Sequence, residues 1–194
     1  MTALTGLRVL ELSNERIAFA GKLLADMGAD VILIEPPGGD PARGYPPFLD
    51  DQPGNNRSLY WWHYNTSKRG ITLDFETAAD QAHFTALLAT ADILLESEPT
   101  TRLVELGLDY EALTALRPEL IHVAVTPFGR SDPRSDLPIT DLTLMAGGGP
   151  PWSCGYDDHG LPPVRGSGNQ GYHTACHFAV LSTLTAVLYR MASG

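Results

Sequence analysis

Tyr172 and His173 open the longest helix-period stretch of the chain, which runs from Tyr172 to Arg190, and Cys176 and His177 follow within one turn. A histidine exchanges protons near neutral pH, whereas a phenol with an ordinary pKa of about 10 is a weak acid and a poor nucleophile. Histidines at i and i+4 also share a helix face and invite a metal. No third and fourth ligand follows at recognisable spacing, and the surrounding stretch is apolar. Packing is therefore the favoured reading for His173, Cys176 and His177, and no metal is expected.

Cations come next. Arg16 follows the first apolar run, and Lys68 and Arg69 open a later one. Arg16 either meets an anionic ligand or pairs with Glu15 or Asp26 on the surface, and the surface pair is favoured. Lys68 and Arg69 read equally as a solvated pair and as ligand contacts. Gly147 to Gly149 and the stretch from Gly166 to Gly171 would let backbone approach an anion, but as bare glycine loops they serve equally as flexible connections. A nicotinamide site is excluded more firmly. Ser13-Asn14-Glu15-Arg16-Ile17-Ala18 lacks the glycine spacing that lets backbone meet a pyrophosphate.

The elements that must position these groups alternate strand and helix. Leu7 to Leu12 is a short apolar run, Ala18 to Met27 has helical period, and Gly28 stands where a helix C-terminus needs positive φ. Val31 to Ile34 is apolar without alternation, as in a strand covered on both faces of a parallel sheet. The spacing predicts strands at 8–12, 30–34, 70–74, 93–96 and 120–125, with helices over 77–90, 102–106, 110–116 and 172–190. Thr140-Asp141-Leu142 should open a further helix, where the Asp141 charge suits the dipole. Residues 36–58 read as a long irregular loop and 58–65 as an aromatic-rich segment. The fold class that follows is α/β: a Rossmann-like, mainly parallel sheet flanked by helices.

Composition bounds the partners. The 194 residues carry 13 Lys and Arg against 23 Asp and Glu, a net charge of −10, which argues against nucleic acid or an anionic membrane. Two cysteines are too few for a disulfide framework, so a cytoplasmic setting is expected. The N-terminus lacks a basic n-region and an h-region, and no apolar run reaches spanning length.

The wording of several blocks is more specific than their periodicity. Leu23-Leu24-Ala25-Asp26-Met27-Gly28-Ala29-Asp30-Val31-Ile32-Leu33-Ile34-Glu35-Pro36-Pro37-Gly38-Gly39-Asp40-Pro41 closely resembles the N-terminal signature of the family III CoA-transferases (CaiB/BaiF-like). Asn65 to Asp74, Ala91 to Glu96, Leu106 to Tyr110, Arg117 to Ile121, Phe128-Gly129 and Pro162 to Arg165 match further blocks of that family in order. The resemblance implies acyl-CoA and a small carboxylic acid as substrates. Coenzyme A moves between acids through enzyme-bound anhydride and thioester intermediates on an aspartate nucleophile. It also implies CoA contacts at Arg16, at Tyr64, Asn65, Thr66 and Ser67, and at Ser97, Glu98 and Pro99.

Counting back from Leu188-Tyr189-Arg190 places the family's aspartate at Tyr172, with His173 beside it as a proton-relay candidate, and no carboxylate lies between Arg165 and the chain end. Basic residues usual in the family are also replaced, at Pro36, Glu105 and Thr126. Family members are about twice this length and pair as interlocked rings. The resemblance thus implies that residues 1–194 form the N-terminal large domain, incomplete without a C-terminal half. Such a chain is a degenerate transferase or a part of a larger or heteromeric one, assembled with itself or a CoA-transferase homologue. The alternative is a non-catalytic acyl-CoA-binding or structural subunit. An acyl-CoA racemase is a lesser one, because its H-D pair would fall at Thr140-Asp141 and the histidine is missing.

Overall fold

The computed structural model describes residues 2–135, 137–158 and 160–193; Met1 and Gly194, the ends of the expected domain, lie outside the described residues. Five parallel strands form one sheet in the order β3-β2-β1-β4-β5. They are β1 (Arg8–Leu12), β2 (Asp30–Glu35), β3 (Arg69–Thr72), β4 (Ile93–Glu96) and β5 (Ile121–Ala124). The helices are α1 (Ala18–Asp26), α2 (Leu59–Asn65), α3 (Ala78–Leu88), α4 (Thr100–Glu105), α5 (Tyr110–Leu116), α6 (Asp141–Gly148), α7 (Pro150–Ser153) and α8 (Gln170–Ser193). Every expected strand is present within two residues of its expected limits.

The central strand explains the apolar runs. β1 pairs with β2 through Val9↔Val31 and Leu10↔Ile32, and with β4 through Val9↔Ile93 and Leu10↔Leu94. Successive residues face opposite sides of the sheet. Val9, Val31, Ile93 and Leu95 pack under α1 and α8 with Ile17, Leu24, Cys176, Val180 and Val187. Leu10, Leu12, Ile32, Ile34 and Leu94 pack on the other face with Phe84 and Leu88 of α3, Leu103 and Leu113. Gly28 ends α1 at φ 101, and a Cβ there would also meet the Thr2 hydroxyl.

Side-chain caps set several helix starts. Thr77 accepts from the Asp80 N–H to begin α3, and Asp109 does the same for Ala112 in α5. Ser58 caps α2 by accepting from the Trp61 N–H at 3.0 Å while its own hydroxyl donates to the Tyr45 carbonyl at 2.6 Å. The loop expected over 36–58 contains two 3-10 turns, at Pro41–Gly44 and Leu49–Asp51. Asp40 starts the first by accepting from the Ala42 N–H at 2.7 Å.

One expectation needs correction. α8 has 24 residues and is long and apolar enough, by length and composition, to cross a membrane. Here it lies on α1 and β5, burying Tyr172, Cys176, Ala179, Val180, Thr183 and Val187.

Candidate functional site

From β1 the chain moves outward to β2 and β3, then returns to the other side of β1 for β4 and β5. The loops leaving β1 and β4 therefore diverge, and open α/β sheets bind ligands in the crevice this creates. Arg16 sits in the β1–α1 turn, with its N–H donating to Asn14 Oδ1 at 3.1 Å. Its guanidinium crosses the crevice and donates to the carbonyl and to the hydroxyl oxygen of Ser97, each at 3.3 Å. Ser97 Oγ in turn donates to the Val125 carbonyl at 2.6 Å. Arg16, Ser97, Glu98 and Pro99 line one pocket of about 130 Å³ with Thr126 and Arg130. The surface pairing expected for Arg16 is thus replaced by a bridge between strand ends, and Asp26 pairs instead with Lys22 at 2.7 Å.

Tyr64 to Ser67 lie elsewhere. None of them lines that pocket. Tyr64 and Asn65 line a smaller cavity with Glu11, Asn14, Glu15 and Asp40. The Tyr64 hydroxyl lies 2.7 Å from His173 Nε2, and the His173 ring is stacked on Phe19 with centroids 4.4 Å apart. Asn65 Oδ1 accepts from Lys68 at 2.8 Å and Thr66 Oγ1 from Lys22 at 2.6 Å, while Ser67 takes a left-handed φ of 67. The expected contacts therefore form two groups, one in the crevice and one along the α1–α2 flank.

Tyr172 is 4% exposed at the start of α8. Its N–H donates to Asp141 Oδ1 at 3.0 Å, so the acid that opens α6 also anchors α8. Burial pushes the phenol pKa up, the nearby Glu15 charge adds to this, and a hydrogen bond and the charge of Arg16 oppose it. Burial lowers the His173 pKa, so the imidazole is neutral at pH 7. The Cys176 thiol donates to the Arg16 carbonyl at 3.1 Å, and burial raises its pKa to about 11. A thiol held that high carries almost no thiolate.

Sequence reasoning missed a repeated device. β1, β2 and β4 each carry a buried glutamate near the C-terminal end: Glu11, Glu35 and Glu96. Each meets a cation from elsewhere in the chain. Glu35 takes a bidentate bond from Arg43 at 2.6 and 2.7 Å, and Arg43 stacks 3.6 Å over the Trp61 ring. Burial would raise the Glu35 carboxyl, yet Arg43 and the Asp40 N–H hold it below its ordinary range. Glu96 accepts from Arg130 at 2.5 Å and lies 2.8 Å from His122 Nε2. These partners keep its carboxyl low against the same desolvation.

Glu11 takes Lys68 at 2.7 Å with both side chains shut away from water. Lys68 is thus neither solvated nor open to a ligand; its ammonium also donates to the Ala18 carbonyl at 2.9 Å. Arg69 does stay at the surface, paired with Asp30 at 2.7 Å. The signal was available: a glutamate inside an otherwise apolar strand requires a buried counter-charge.

A sequence profile described as CoA-transferase family III matches residues 4–194. The chain is 38% identical over 187 residues to succinyl-CoA:(R)-benzylsuccinate CoA-transferase subunit BbsE of Thauera aromatica, covering 96% of this chain and 45% of that protein. It is 36% identical over 195 residues to succinate--glutarate CoA-transferase of Agrobacterium fabrum, covering 98% and 48%. Among solved structures, a CAIB/BAIF family protein from Brucella suis superposes with a TM-score of 0.89 at 31% identity, over all of this chain and 51% of that one. The chain spans about half the length of these relatives. With the profile matched along nearly all its residues, the chain belongs to CoA-transferase family III.

Proposed function

We propose that this chain supplies the acyl-CoA-binding part of a CoA-transferase assembly and does not carry the acyl-accepting carboxylate on α8. The observation that carries this reading is Tyr172. It occupies the place the family resemblance gives to the nucleophilic aspartate, buried and anchored through its N–H to Asp141. An acyl carrier must form and break its adduct readily near neutral pH, and a buried phenol with a raised pKa does neither as a carboxylate would.

Support for the binding half of the reading comes from the crevice between β1 and β4. Arg16 spans it using a carbonyl and a hydroxyl as acceptors, and among the described residues it makes no carboxylate ion pair. Its charge acts on Glu15 and Glu98 from a distance without a direct ion pair, which leaves it the crevice cation an anionic ligand would meet. Lys68, Arg43 and Arg130 neutralise the chain's own buried glutamates, so CoA binding should be weak. His173, bonded to Tyr64 and neutral, is placed to relay a proton rather than to accept an acyl group.

Support for an assembly comes from the surface. β5 is an edge of the sheet, and α8 exposes Phe178, Leu181, Leu188, Tyr189 and Met191. The Thauera relative is itself named as a subunit. The partner we favour is a CoA-transferase homologue, in a cytoplasmic setting suited to the unpaired Cys154 and Cys176.

The test combines two measurements. Calorimetry should detect weak CoA binding, and absence of heat at millimolar CoA removes the binding role. Incubating the chain with acyl-CoA and a free acid, followed by hydroxylamine, should trap no acyl adduct on this chain. A trapped aspartyl or glutamyl adduct with turnover by the chain alone would overturn the assignment of Tyr172. In the assembled enzyme, Tyr172→Phe should leave turnover unchanged; lost turnover would mean the phenol takes part directly.

A further inference from the structure

Two buried polar atoms on different elements lack a hydrogen-bond partner among the described residues, and both residues border the same small cavity. Glu11 is fully buried and gives Oε1 to Lys68, while Oε2 receives nothing. Trp61 Nε1 is sealed from solvent and donates to nothing. Its indole has little freedom to search for an acceptor, because Arg43 stacks on one face and is itself held by Glu35. Glu11 and Trp61 both line a small cavity of about 10 Å³, together with Asn14, Asp40, Tyr60 and Asn65.

That volume is about one water-sized probe, the least that holds a single water. Buried polar groups left without protein partners are normally satisfied by an internal water. The chemistry also selects water over a cation. A metal or ammonium ion would suit the carboxylate but would face the positive end of the indole N–H. Water alone can accept from one group and donate to the other.

We infer that this cavity holds one internal water that accepts the Trp61 Nε1–H and donates to Glu11 Oε2. The water completes the hydrogen bonding of the Glu11–Lys68 pair. It also ties α2, which carries Trp61 and Tyr64, to the central strand. Through it the helix that presents Tyr64 to His173 is fastened to the core by the side chain of the residue whose N–H the Ser58 cap binds.

The test is a crystal structure at a resolution that orders solvent, for the natural chain and for Trp61→Phe, which keeps an aromatic ring and loses the donor. The natural chain should show one isolated peak at hydrogen-bond distance from both atoms, about 2.7–3.2 Å. Its absence, or a direct bond from either atom to protein, overturns the inference. In solution, carbon-13 titration of the Glu11 carboxyl reads the same bond, with Lys68 and Asp40 as the charged groups that act on it. Losing one donor chain to the ionised form should raise the Glu11 pKa in Trp61→Phe by about half a unit to one unit. An unchanged or lowered value would also overturn it.

Discussion

Replacing Lys68 with methionine removes the counter-charge from a carboxylate that has no path to water. The ammonium meets Glu11 at 2.7 Å and also donates to Ala18 O and Asn65 Oδ1. Breaking a buried pair from one side costs about 3–5 kcal/mol when the remaining group must stay ionised. Glu11 has an alternative, because burial raises its pKa from 4.5 to about 7 even against the pull of Lys68. Loss of Lys68 moves it further up.

A carboxyl whose folded pKa exceeds its unfolded one contributes stability that is whole below the unfolded value. That contribution is lost as pH rises through the folded value. In the natural chain the loss stops near pH 7, where folded Glu11 ionises. In Lys68→Met it continues above that, at about 1.4 kcal/mol per pH unit, until it reaches the 3–5 kcal/mol ceiling.

Burial also lowers the Lys68 pKa, so its charged form is penalised once Glu11 is protonated. Below about pH 5 the variant should therefore be no less stable than the natural chain, since the buried lysine charge has gone and Glu11 is neutral in both. Urea unfolding followed by circular dichroism at about pH 5 and about pH 8.5 measures both ends, the alkaline cost corresponding to a Tm drop of about 3–10 °C at half the ceiling. Equal destabilisation at the two pH values refutes the reasoning. So does a pH dependence that survives adding Glu11→Gln to the variant.

Gly21→Ala should destabilise by about 1–3 kcal/mol in urea unfolding, because its Cβ would stand 1.6 Å from Glu11 Oε2 and 3.2 Å from Lys68 Cε. Arg16→Ala should weaken CoA binding at least about tenfold in calorimetry, the equivalent of one charge-assisted hydrogen bond, with the unfolding midpoint little changed. Ellman's reagent should label Cys154 alone in the folded protein and Cys176 only after denaturation, since Cys154 is exposed and the buried Cys176 thiol is raised to about 11; rapid labelling of both would mean α8 opens readily.

Strand positions were legible because a strand covered on both faces must be apolar without alternation, and Val31 to Ile34 and Ile93 to Leu95 read that way. Gly28 was legible for a backbone reason that needs no tertiary context. α2 was not: seven residues rich in aromatics have little intrinsic helical preference, and the helix depends on the Ser58 hydroxyl and on packing against α1. The Glu11–Lys68 pair joins residues 57 apart, and no local period links them. Arg16 and Ser97, 81 apart, were brought into one expectation only by family resemblance, and only the strand order explains why they meet. Tyr172 and Asp141 were each singled out, but the bond between them needed the packing of α6 on α8.

The place of Glu11 on the central strand sets an order of assembly. As the chain leaves the ribosome, residues 8–35 can already bring β1, α1 and β2 together. That early unit has Glu11 under Gly21 before its counter-ion exists, because Lys68 emerges 33 residues after Glu35. Until the residues just before β3 arrive, the first βαβ segment can hold Glu11 only protonated or open to water, so the ionised pair under Gly21 belongs to the three-stranded half of the sheet and not to its first two strands.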